Sequence, residues 1–102
     1  MDHTNHVRLN DSEFTEAVLN GAPIYGPDDD QVGMISEVYG NGADTTVVVD
    51  VGGFLGLGAK PVEMRVKDLD LMRGEDGVVH GHTRWTKDQL KDLPEYTPRN
   101  IP

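Results

Sequence analysis

At 102 residues, 36% of them hydrophobic, the chain has the length of one domain, and its core must be concentrated in a few segments. Nine basic against eighteen acidic residues leave a formal net charge of −9, which repels phosphate backbones and argues against direct nucleic-acid binding while leaving a basic protein partner open. The absence of cysteine removes disulfides, thiolate nucleophiles and cysteine-ligated zinc together. No apolar run approaches the roughly 20 residues needed to span a bilayer, and the opening MDHTNHVRLNDSEF has neither a basic segment nor an apolar stretch of secretory type. The expectation is a cytoplasmic domain with no membrane insertion.

Residues 1–16 read as a polar tail or short lead element, with the first eleven or so aperiodic. His3 and His6 lie there without a third ligand nearby and read as solvated. From Ser12 to Leu19 two readings stand: a short helix capped by Ser12, with Phe14, Val18 and Leu19 on one face, or an extended lead into a strand. Asn20-Gly21 ends either one. Ala22–Gly26 is a short strand with Pro23 at its start or edge. Pro27–Gln31, PDDDQ, is turn chemistry, and its aspartates lack the alternating spacing of a calcium loop. Val32–Tyr39 is a second strand, with Gly33 marking a bulge. Gly40-Asn41-Gly42 then turns the chain.

Thr45–Val51 holds three consecutive valines and reads as a buried strand, followed by a loop with glycines at 52, 53, 56 and 58. Pro61–Lys67 alternates cleanly, with Val62, Met64 and Val66 inward and Glu63, Arg65 and Lys67 outward. Asp68–Met72 either continues that strand or makes a turn that tucks Leu69 and Leu71 inward. After an acidic Gly-bounded turn, Val78–Trp85 is a fifth strand, with His80 and His82 in one phase. Thr86 and Gln89 have capping-box spacing for a short helix whose stripe is Leu90 and Leu93, ended by Pro94. Five strands and one terminal helix predict a mainly β protein, a small antiparallel barrel or curled sheet.

VVDVGGFLGLGAKPVEM, the preceding GAPIYGPDDDQVGMISEV, the following PVEMRVKDLDL and the terminal TKDQLKDLPEY together resemble the PRC-barrel family over residues 17–96. That family is named for the cytoplasmic domain of the photosynthetic reaction centre H subunit, and it also supplies the C-terminal domain of a ribosomal RNA maturation factor. The resemblance implies an antiparallel β-barrel of about five to six strands with a short C-terminal helix, and residues 97–102 as a tail. It also implies docking onto a larger assembly, with no shared catalytic residues and no cofactor. Where the family pattern commonly carries a proline in the fourth strand, this chain has Met64-Arg65-Val66, so the strand ending is expected to differ.

The chemistry-bearing candidates are few. His80 and His82 project from one strand face and would need a third ligand, Asp50 or Glu63, to hold a metal ion; two exposed histidines on a wet face is the commoner arrangement. The loop GGFLGLG lacks the lysine and hydroxyl residue that follow a phosphate-binding loop. Gly53, Phe54, Leu55 and Leu57 instead read as an apolar patch rimmed by acid, suited to a protein partner, unless the leucines plug a barrel end. A homodimer through this loop or a strand edge is a further expectation. The chain is thus expected to be a non-enzymatic interaction or assembly module. The alternatives are an accessory factor in RNA processing acting through a basic protein, and a metal-binding protein using His80 and His82.

Overall fold

Val47, Val49 and Val51 point to one side of a strand that takes a partner on each edge, and all three are fully buried. In the computed structural model, which describes residues 7–52 and 59–96, this strand is β4 (Thr46–Val51). It lies between β3 (Gln31–Tyr39) and β5 (Lys60–Arg65). The remaining strands are β1 (Val7–Arg8), β2 (Pro23–Tyr25), β6 (Asp70–Arg73) and β7 (Val79–His82). All seven form one sheet in the order β1-β6-β7-β2-β3-β4-β5. The fold is therefore mainly β, as the turn-punctuated pattern predicts.

Two features correct the expected all-antiparallel barrel of five to six strands. β2 and β7 pair in parallel, Ile24 opposite Gly81 and Tyr25 opposite His82, so the sheet is mixed. Among the described residues no ladder joins β1 to β5, so the sheet is open. The parallel pair arises because β7 returns from β6 into the middle of the sheet, against β2, instead of extending it at an edge.

Sequence alternation carries directly into packing in β5: Val62 and Met64 are buried, while Glu63 and Arg65 are exposed. The strand stops at Arg65, short of the expected Lys67, because Val66–Asp68 forms a 3₁₀ turn that still buries Val66. Leu69 and Leu71 then turn into the core, at 6% and 3% exposure, as β6 starts a new ladder with β7. Gly33 does mark an irregularity: Ile24 faces it, but Tyr25 faces Gln31, leaving Val32 extra in β3. A second shift leaves Ser36 extra against β4. Each such bulge bends the strand and strengthens its twist. The Asp-rich turn is tight, as predicted, with Asp29 N–H donating to Gly26 O at 3.0 Å and Asp29 itself at φ 61°.

Within the expected N-terminal lead, the described residues from Val7 onward are built into the fold. Val7 and Arg8 pair with β6, and Leu9, at 8% exposure, donates its N–H to Leu71 O at 3.0 Å. Arg8 and Asp70 form an ion pair across that ladder. Asp11–Glu13 makes one 3₁₀ turn, and the chain re-extends at Thr15 before α1 (Glu16–Leu19) begins. Thr15, not Ser12, therefore caps the helix, accepting from Val18 N–H, and Leu19 is its buried residue. Asn10 N–H and the Arg73 guanidinium, the latter at 2.8 Å, hold the Glu13 carboxyl below its usual value.

α2 (Lys87–Lys91) forms as its capping box predicts. Thr86 Oγ1 accepts from Gln89 N–H at 3.2 Å, and Gln89 Oε1 accepts from Thr86 N–H at 2.9 Å. Two otherwise orphaned donors are satisfied, so Thr86→Ala is expected to lower stability by about 1 kcal/mol. A urea titration would read this as a lower midpoint at unchanged slope; a midpoint equal to that of the wild type would show that the helix is held by packing alone.

Candidate functional site

Among the described residues β5 is the last strand of the sheet, and register and one proline define its outer edge. Val66 N–H donates to Thr45 O at 3.1 Å, so the residues of β5 that share its phase, Lys60, Val62 and Met64, bond toward β4. Pro61, which has no N–H to give, falls in the other phase with Glu63 and Arg65, whose backbone groups point away from the sheet. At the start of this edge Tyr96 N–H donates to Pro61 O at 2.7 Å. The N–H and C=O of Glu63 and the N–H of Arg65 meet no backbone partner among the described residues, whereas the Arg65 C=O starts the Val66–Asp68 turn. An open pair of this kind is a template for an added strand.

Beside the edge runs a groove of about 530 Å³. Its apolar wall is Trp85, Leu93, Pro94 and Tyr96, with Val62 and Met64 at the base. Glu63, Asp68 and Glu95 bring three carboxylates to it against the one guanidinium of Arg65. α2 builds the wall. Leu90 is fully buried in the core, so the helix docks by one side chain, and Trp85 just before it and Leu93–Tyr96 just after it are both carried to β5. The Lys60 ammonium donates to Lys91 O and ties the helix end to the strand. Trp85 keeps 42% of its surface exposed despite being the chain's one tryptophan.

The same segment reaches the other face of the sheet. Val48 points away from the main core cluster yet is only 1% exposed. Glu37 and Glu63 flank it in register, and the Tyr39 and Tyr96 rings meet on this side with centroids 6.2 Å apart. Tyr39 donates its hydroxyl to Glu37 Oε1 at 2.8 Å. The Tyr96 hydroxyl and then the Glu37 carboxylate raise the Tyr39 phenol well above its ordinary value of 10.0. Because the folded value is the higher one, this contribution to stability is complete below pH 10.0 and is lost as pH rises through the folded value. In an alkaline absorbance titration, Tyr96→Phe is expected to bring the Tyr39 ionisation down toward its ordinary value. An unchanged titration in that variant would mean that the C-terminal segment does not rest on β3.

His80 and His82 do share a face, but it is not a wet one. His80 is 4% exposed and the His82 side chain 19%, which corrects the expectation of two exposed histidines. The cause is the parallel neighbour. Tyr25 of β2 closes a triangle with them, 6.0 Å from the His80 ring and 5.9 Å from the His82 ring, and the two imidazoles are 6.2 Å apart. Asp29 Oδ1 stands 3.6 Å from His82 Nε2. The two carboxylates considered as a third ligand are elsewhere: Asp50 accepts from Ser36 Oγ at 3.3 Å, and Glu63 lies on the β5 groove. Among the described residues no group of three or more His, Asp or Glu side chains is placed to hold a metal ion.

Gly53, Phe54, Leu55 and Leu57, the expected interaction loop, lie outside the described residues, as do His3 and His6. The groove residues Trp85, Leu93, Pro94 and Tyr96 were not singled out by pattern as a surface. The signal for them was Pro61, which confines β5 to an edge, together with Pro94, which forces the chain out of α2 alongside it. Among the described residues no helix is long and apolar enough to cross a membrane. No family model matches the chain, and no curated protein matches its sequence.

Proposed function

We propose that the chain is a non-enzymatic interaction module of PRC-barrel type, which docks on a protein partner through a face of its curled sheet. The observation that carries this reading is the unpaired stretch of β5 beside an apolar groove. The side chains that line that groove offer contact area and charge together, as a protein-binding surface does. Sheet curvature supports the barrel-type reading. β7 and β5 are separated in the sheet by β2, β3 and β4, yet Trp85, three residues beyond β7, lines the same groove as β5.

The untagged protein, immobilised through its amino groups, should retain a reproducible partner from lysate at moderate salt, identified by mass spectrometry. Retention of no protein above a blank matrix, together with sedimentation as a lone 11.2 kDa species in lysate, would overturn the module reading. The loop Gly53–Leu57 remains a second contact in this proposal, tested by Phe54→Asp in the same assay.

A further inference from the structure

We infer that the β5 edge binds an extended, basic polypeptide segment by strand addition, a conclusion that rests on the interaction-module reading and names its partner chemistry. The open stretch offers three backbone groups, the N–H and C=O of Glu63 and the N–H of Arg65, all in one phase of the strand. An incoming strand of three or four residues satisfies them, with its ends limited by Tyr96 on Pro61 at one side and the Val66–Asp68 turn at the other. Strand geometry then assigns its side chains. Residues facing Glu63 and Arg65 project on the outer face, and the residue between them, level with Met64, projects toward the groove. Trp85, Leu93 and Pro94 make that position apolar or aromatic. Glu63, Asp68 and Glu95 outnumber Arg65, so the flanking positions take lysine or arginine.

Charge decides between occupants. A second copy of the chain brings a further −9 and presents the same three carboxylates to its own kind, whereas a basic segment is drawn to them.

The test uses the full chain and three end-blocked synthetic peptides: alternating lysine and valine, alternating glutamate and valine, and the lysine peptide N-methylated on every residue whose N–H would face β5. The lysine peptide should change Trp85 emission and slow hydrogen exchange at the Glu63 and Arg65 amides. The glutamate and the N-methylated peptides should bind at least tenfold more weakly. Arg65 sits at φ −87° with its N–H directed outward, so Arg65→Pro keeps the fold while removing one edge donor, and it should cost the lysine peptide a comparable factor. Glu63→Lys, which leaves the backbone untouched, should weaken the lysine peptide and raise the salt-insensitive residue of binding. Equal binding of the N-methylated peptide would overturn strand addition. Protection of the Glu63 and Arg65 amides in the free protein together with sedimentation as a dimer would overturn the basic segment in favour of a second copy. Lysate capture with Arg65→Pro separates the two levels: partners retained equally by wild type and variant overturn the β5 site alone, whereas no capture by either overturns the module reading beneath it.

Discussion

Leu90→Ala is expected to lower the unfolding free energy by about 2–5 kcal/mol, a large share of the roughly 5–15 kcal/mol that holds a domain of this kind together. α2 has five residues, too few to persist in water, so it exists because Leu90 fills a fully buried site. Truncating that side chain forfeits its transfer from water and leaves a cavity that the surrounding core closes only in part. The consequence reaches the groove, since Trp85 and Leu93–Tyr96 stand where they do only while the helix is docked. Urea unfolding followed by Trp85 emission should show the lowered midpoint directly, the chain having one tryptophan. Leu90→Met conserves volume and should cost under about 1.5 kcal/mol. If the alanine variant were no less stable than the methionine variant, α2 would be an ornament on the sheet and the groove would have no fixed wall.

The docking of α2 was legible because every signal for it is local: Thr86 and Gln89 at capping-box spacing, Leu90 on the stripe, Pro94 as a stop. β5 was legible for a similar reason, since alternation from Val62 to Arg65 reports which face is wet without reference to any neighbour. What failed to show in the sequence depends on pairing between distant segments. β1 is two residues long and holds its place only through the β6 ladder and the burial of Leu9, neither of which leaves a periodic trace. The Ser12 cap was displaced to Thr15 because Asn10–Glu13 closes its own turn, tied down by Arg73 from sixty residues away in sequence. His80 was misplaced most clearly. Its strand phase was right, but its burial is set by Tyr25 on a parallel neighbour, and parallel partners must be joined by a crossover that no local pattern announces. The β5 groove belongs to the same class: Pro61 and Pro94 mark its two components, and only the fold brings Trp85 to meet them.

Gly33→Ala is expected to destabilise the protein by about 3 kcal/mol, at the upper end of what overpacking costs. A β-carbon at this position would lie 2.6 Å from Val49 Cγ1 and 2.7 Å from Asp50 O. The first contact could be relieved by turning a side chain, but Val49 is fully buried and its rotamer is fixed by the core around it. The second could not be relieved at all without moving β4, which is bonded to β3 on one edge and β5 on the other. Gly81 supplies the comparison. Its added carbon would come as close as 2.7 Å to Ile24 Cδ1 and 2.9 Å to Leu71 Cδ2, but both are the far ends of side chains, and its nearest backbone atom is 3.7 Å away. Gly81→Ala should therefore cost less than Gly33→Ala, and the addition of Ile24→Val should recover part of its loss while nothing comparable rescues Gly33. Thermal and urea unfolding of the set would establish the order, and a Gly81→Ala variant less stable than Gly33→Ala would sink the argument. The order matters beyond stability. Gly33 is where β3 lies tightest on β4 while bulging against β2, and β4 in turn holds β5 beside its groove. A variant that folded with β3 held off β4 would keep its strands and still lose the groove.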